Sequence, residues 1–271
     1  MVLHHLSRKL SVADGLIARS RHRIGPFHLH RPSSLAEALD LLPTAAPIAG
    51  GVEWVEVMKR GGTPAALQDI TKLPDLATIR QEGEWLRLGA AVTHRQLLID
   101  PIVEGAVGGF RHVWREIGNP RIRAQGTLGG NLAASNPVYD LLPVLLALEA
   151  QLEVADASGT QCLPIQALAQ RPRHSLILAV RVRAGAQLVF DRSLRPVIGI
   201  AAVRRESSIQ AAIVWAQAEV RAAPLDDPAD WCDQLPHWVD DAHGTAIYRA
   251  AVAPVLAARA RARLLLPVGA A

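Results

Sequence analysis

The run Ile117-Gly118-Asn119-Pro120-Arg121-Ile122-Arg123-Ala124-Gln125-Gly126-Thr127-Leu128-Gly129-Gly130-Asn131-Leu132-Ala133 decides the reading of this chain. From Gly118 to Gly130 it holds four glycines and one proline, so it reads as a long loop. The glycine pair in it matters chemically. Without Cβ atoms in the way, backbone N–H groups can converge on an anion. Alone, such a pair is an ordinary turn. A second pair stands upstream in Ala49-Gly50-Gly51-Val52-Glu53, after the short apolar run Pro47-Ile48. Two such loops in consecutive segments could grip a diphosphate between them.

Neither loop is a familiar nucleotide fingerprint. A Gly-x-Gly-x-x-Gly run directly after a strand, with an acid about 20 residues on, would mark a Rossmann site. Here Gly126 follows a loop. The phosphate loop ending Gly-Lys-Ser/Thr is absent as well. A dinucleotide site in this chain is therefore of another type.

Outward from the loops, the pattern divides into an extension and three lobes: residues 1–25, 26–80, 81–170 and 175–271. In the first lobe, Ser34 and Glu37 precede Leu39, Leu41 and Leu42, a capping box that starts a short helix ended by Pro43. Pro47–Gly51 reads as a strand meeting a glycine pair, and Leu67–Ile70 as a strand. In the second lobe, Trp85–Leu88 alternates as a strand should. Thr93 and Gln96 form a second capping box, for a helix through Ile99. Ala106–Ile117 reads as one helix and Tyr139–Ala150 as a strongly apolar one. Gln151–Ala155 and Thr160–Leu163 flank Ser158-Gly159 as a hairpin. In the third lobe, Leu176–Val182, Val197–Val203 and Ile209–Val220 are strand-rich, and His243–Leu266 is a final helix. Arg171-Pro172-Arg173 is the expected linker.

Composition excludes several classes. Half of the 271 residues are hydrophobic and 20% are charged, so the chain can bury real cores. The net charge is +4 and the pI about 9.6. There is no helix-turn-helix signature, and only 4% of residues are aromatic, so the basic excess is read as serving an anionic ligand or an acidic partner, not nucleic acid. The two cysteines, Cys162 and Cys232, form no CxxC and cannot hold an iron–sulfur cluster alone. Low cysteine use fits a cytoplasmic protein. No apolar run reaches membrane-spanning length, and Met1–Gly25 lacks a signal-peptide core, so it reads as an extension.

The long glycine loop, with Ser135-Asn136-Pro137-Val138-Tyr139-Asp140-Leu141-Leu142-Pro143 after it, resembles the second flavin loop of the FAD-binding subunits of molybdenum hydroxylases. That family takes in xanthine dehydrogenase, aldehyde oxidase and carbon monoxide dehydrogenase. Pro47–Glu53 with Met58-Lys59 is similar to the first flavin loop. The resemblance spans Pro26 to Leu168, thins over Ser175–Val203, and returns at Tyr248-Arg249 and the last helix.

The resemblance implies an α+β fold: a vanillyl-alcohol-oxidase-type (PCMH-like) FAD-binding module of two lobes, plus a small C-terminal α+β domain. It implies FAD bound non-covalently by Ala49, Gly50, Gly51, Val52, Glu53, Gly126, Thr127, Gly129, Gly130, Asn131, Asp140 and Leu178. Val52 stands where the family usually has Thr, and Ala124 where it often has Asn. The N–H groups of Gly50–Glu53 and the Gly129-Gly130 backbone would take the pyrophosphate, and the Glu53 carboxylate would bond ribityl or ribose hydroxyls. Asp140 would accept ribose hydroxyls, or else serve the N-terminus of the apolar helix. Arg192 stands where some relatives place Lys. None of the ten histidines falls in the loops; covalent flavin attachment is not expected, and His4-His5 and the rest lack metal-ligand spacing.

By the same resemblance, no catalytic dyad or nucleophile is needed on this chain. A large partner subunit would carry the molybdenum cofactor. A small one would carry two [2Fe–2S] clusters that feed electrons to FAD, which reduces NAD, oxygen, a quinone or another acceptor. Two alternatives stay open: a degenerate scaffold that binds FAD poorly, and a self-standing flavin oxidase.

Overall fold

The computed structural model describes residues 24–136, 139–193, 197–214, 222–235, 238–241 and 244–266. The expectations for residues 1–23, for Pro137 and Val138, for the strand end beyond Val214 and for His243 lie outside the described residues.

The first lobe runs β1 (His28–His30), α1 (Leu35–Leu41), β2 (Ala46–Ile48), α2 (Val52–Lys59) and β3 (Ala66–Asp69). Its three strands form a parallel sheet in the order β1-β3-β2. The Ser34 hydroxyl accepts from the Glu37 N–H, as a capping residue should, but the Glu37 carboxylate accepts from Ser33, one residue upstream of the expected box.

The second segment holds β4 (Ile79–Glu82), β5 (Trp85–Gly89), α3 (His94–Ile99), α4 (Pro101–Ala106), β6 (Val107–Gly108), α5 (Phe110–Glu116), α6 (Pro120–Gln125), α7 (Leu128–Ala134), α8 (Leu141–Ala147), β7 (Gln151–Asp156) and β8 (Gly159–Pro164). The Thr93–Gln96 capping box closes in both directions. Two expectations are corrected. The single helix over Ala106–Ile117 is broken at Gly109, where φ is +87°, and β6 leaves to pair with the third sheet. The long glycine loop contains two short helices, capped by Asn119 and Thr127, whose side-chain oxygens accept from Ile122 and Gly130. The capping residues are Asn and Thr, whose local bonding competes with a plain loop reading.

The rest comprises β9 (Leu176–Arg183), β10 (Ala186–Arg192), β11 (Gly199–Arg205), β12 (Ser208–Val214), β13 (Ala222–Pro224), α9 (Pro228–Asp233) and α10 (Ala246–Leu265). Here the lobe boundary shifts. β9, expected in the third lobe, lies in the middle of the second sheet, ordered β4-β5-β9-β7-β8. The third sheet is β13-β12-β11-β10-β6.

That third sheet is buried on both faces. Phe190, Ala201, Val203 and Ala212 join the main core with Leu141, Val144 and Leu145 of α8. Val189, Ile200, Ala202 and Ile213 point the other way, against Leu256, Ala257 and Ala260 of α10. Double-sided burial explains why these strands read as nearly continuous apolar runs. It also makes the second and third segments one packed body, with α8 shared between them.

Candidate functional site

A cleft of about 720 Å³ runs between the first lobe and the second sheet, within the range of small-molecule and cofactor sites. Both glycine loops reach it, with the start of α8, the chain before β9 and the end of β10. Of the twelve residues singled out above, all but Leu178 line it. Leu178 is buried in the core beside Ile70 and Leu176, and its carbonyl accepts from the Ala90 N–H.

The two loops are built differently. β2 runs into Gly50-Gly51 and directly into α2. Gly51 sits at φ +71° as an N-cap with no side-chain cap. The next backbone bond runs from Val55 N–H to Gly51 O, and the first-turn N–H groups of Val52, Glu53 and Trp54 meet no protein acceptor among the described residues. Such N–H groups at a helix start suit an anion. Val52 lacks the hydroxyl, but its N–H keeps this place.

In the second loop the N–H groups are already used. Leu128 donates to Val92 O at 3.0 Å, Gly129 to Ala90 O at 2.8 Å, and Gly130 to the Thr127 hydroxyl at 3.2 Å. These N–H groups are thus engaged within the fold. Gly129 is small for packing, since a Cβ there would come 2.6 Å from the Ala90 side chain. Gly50 has the same kind of reason: a Cβ would overlap the Gln125 carbonyl, so the first loop docks backbone to backbone on the end of α6. What the second loop offers a ligand is the Thr127 hydroxyl proton and the Asn131 amide.

Asp140 carries no side-chain cap bond to α8. Instead Arg192 of β10 donates to its carboxylate at 2.9 Å and to Glu116 at 3.2 Å. Burial, opposed by Arg192 and reinforced by Glu116, pushes the Asp140 carboxyl up to about 6. Glu53 accepts from the Tyr139 hydroxyl at 2.9 Å, while the indole of Trp54 donates to Pro47 O.

Sequence reasoning missed His94, Glu116, Tyr139, Arg171 and Arg173 as lining residues. His94 is almost fully buried, stacks on Trp114, and its Nδ1 has no partner among the described residues. Burial, with the Arg123 charge nearby, depresses it to about 4. Its place one residue after the Thr93 cap was the available signal. Among the described residues no group of His, Cys, Asp or Glu could hold a metal, and no helix is long and apolar enough to cross a membrane.

The family described as the FAD binding domain in molybdopterin dehydrogenase matches residues 25–183. The carbon monoxide dehydrogenase medium chain of Afipia carboxidovorans is 34% identical over 142 residues, 51% of this chain and 49% of that one. The glyceraldehyde dehydrogenase medium chain of Sulfolobus acidocaldarius is 32% identical over 139 residues, 50% of each. The sequence match thus spans about half the length of these curated relatives. The crystal structure of a Cu,Mo-CO dehydrogenase in its cyanide-inactivated form contains a chain similar over 90% of this one and 99% of its own, with TM-score 0.79 and 26% identity.

Proposed function

The chain belongs to the family of FAD-binding domains of molybdopterin dehydrogenases, and we propose that it is the flavin-carrying electron-transfer subunit of a molybdenum hydroxylase. In this reading it works in the cytoplasm with a large molybdenum-cofactor subunit and a small [2Fe–2S] subunit. Electrons arrive from the clusters and leave to NAD, oxygen, a quinone or another acceptor. The fold is read as the PCMH-like two-lobed module with a C-terminal α+β domain.

The observation that carries this reading is the unsatisfied first turn of α2, opening into a cleft of dinucleotide dimensions. Those N–H groups would take the diphosphate, aided by the Thr127 hydroxyl and the Asn131 amide. Asp140, held by Arg192, would accept sugar or ribityl hydroxyls. His94 stays neutral and excludes water beneath Gly126, against which its ring packs. Bound FAD would supply single-electron acceptance coupled to one- or two-electron release; the chain supplies position and electrostatics.

The purified chain should be yellow, and acid precipitation should release about one FAD per chain into solution. Flavin retained on the pellet, or FMN alone in the supernatant, counts against non-covalent FAD. A folded, colourless chain that takes up no added FAD would instead support the scaffold reading. Co-purification with iron and molybdenum separates the proposed complex from a self-standing oxidase.

A further inference from the structure

The cleft holds an imbalance of charge that the residues discussed so far do not explain. Its lining carboxylates are Glu53, Glu116 and Asp140. Glu53 is engaged by Tyr139, and Glu116 and Asp140 by Arg192. Between Gln170 and β9, Arg171, Arg173, His174 and Ser175 also line the wall. Arg171 is half-buried, and among the described residues its guanidinium makes one bond, to Leu168 O at 2.9 Å. No carboxylate lies within ion-pair distance of Arg171 or Arg173 among the described residues.

A partly desolvated guanidinium with most of its donors idle is costly unless something answers it. Burial already lowers the basicity of Arg171. The next residue but four, Leu176, packs in one cluster with Ile70 and Leu73 of the first lobe and with Leu42 and Ala49 at its edge. Leu176 thus ties the cationic stretch to the lobe that carries the first glycine loop.

We infer that Arg171, with Arg173 beside it, forms a second phosphate-binding element of the cleft, supplied by the second lobe and taking the same diphosphate as the α2 N-terminus. This rests on the flavin reading above and adds the residues that neutralise the diphosphate charge. A guanidinium suits that task because its planar fork can give two parallel bonds to phosphate oxygens. His174 lies in the same wall.

Titration calorimetry on the full apo chain tests this with FAD, ADP and riboflavin as probes. Arg171→Gln should weaken FAD and ADP by about tenfold or more, leave riboflavin unchanged, and flatten the salt dependence of ADP binding. Arg171→Lys should recover part of the loss. The apo melting temperature should hold or rise, because an uncompensated cation has gone. A fall in apo melting temperature with FAD and ADP affinities within about twofold of wild type would make Arg171 a structural cap on Leu168 and overturn the subsite. ADP binding to the FAD-loaded chain would assign the subsite to a second ligand and overturn the shared-diphosphate assignment. A wild-type chain that takes ADP through Arg171 but no FAD keeps the subsite and overturns the flavin reading. One that takes neither overturns both.

Discussion

The hydroxyl of Tyr139 donates to Glu53 Oε2 at 2.9 Å, tying the first turn of α2 to the chain just ahead of α8. These residues belong to different lobes and both line the cleft. Burial, and the Glu53 carboxylate after it, push the Tyr139 phenol up to about 12, so it stays a donor across the physiological range. Tyr139→Phe removes one half-buried bond worth about 0.5–1.5 kcal/mol. FAD affinity should drop about three- to tenfold, with little change in the far-UV spectrum. An unchanged dissociation constant would show that the lobes hold the cleft without this tie.

The glycines make a sharper test. Gly50→Ala and Gly129→Ala place a Cβ against the Gln125 carbonyl and against Ala90. Overpacking of this kind costs about 1–3 kcal/mol. Both apo chains should melt at lower temperature. At Gly130 a Cβ meets only the Thr127 hydroxyl, at 2.9 Å, and alanine favours the helix. Gly130→Ala should melt near wild type. Equal losses at Gly129 and Gly130 would argue against the packing account.

Asp140 carries a pH signature. Its folded carboxyl titrates near 6 against an ordinary value of 3.8. A raised acid means that the folded state binds its proton more tightly than the unfolded state. Its contribution to stability is therefore greatest at low pH and declines as pH rises from about 4 to 6. If the ionised form accepts flavin hydroxyls, FAD affinity should run the other way, weaker at pH 5 than at 7.5. Asp140→Asn should flatten that profile and weaken binding at pH 7.5 by about ten- to a hundredfold. A pH-independent wild-type affinity would remove Asp140 from the site.

His94 gives the opposite slope in stability. Its folded value is near 4 against 6.5 unfolded. The unfolded chain takes the proton first, so stability is lost as pH falls from 6.5 to 4, by on the order of 3 kcal/mol. In His94→Leu the melting temperature should fall less over that interval than in wild type, whatever its absolute value. Parallel curves would show that His94 protonates freely in the fold.

Short-range patterns were legible in the residues. The Thr93–Gln96 box, the Gln151–Pro164 hairpin and the two glycine pairs rest on contacts three or four positions apart or on strand alternation, and the motif residues from Ala49 to Asp140 do gather at one cleft. Pairings between distant segments were not legible. Val107-Gly108 leaves a helical pattern because β10, some 80 residues on, offers a sheet edge. β9 joins the second sheet because β5 and β7 flank it there. Asp140 meets Arg192 across 52 positions, and Gly50 is small because Gln125 lies against it. Local bonds are written into neighbouring side chains. Which edge a strand fills, and which charge a carboxylate meets, depend on the burial of surfaces that come together only when the chain folds.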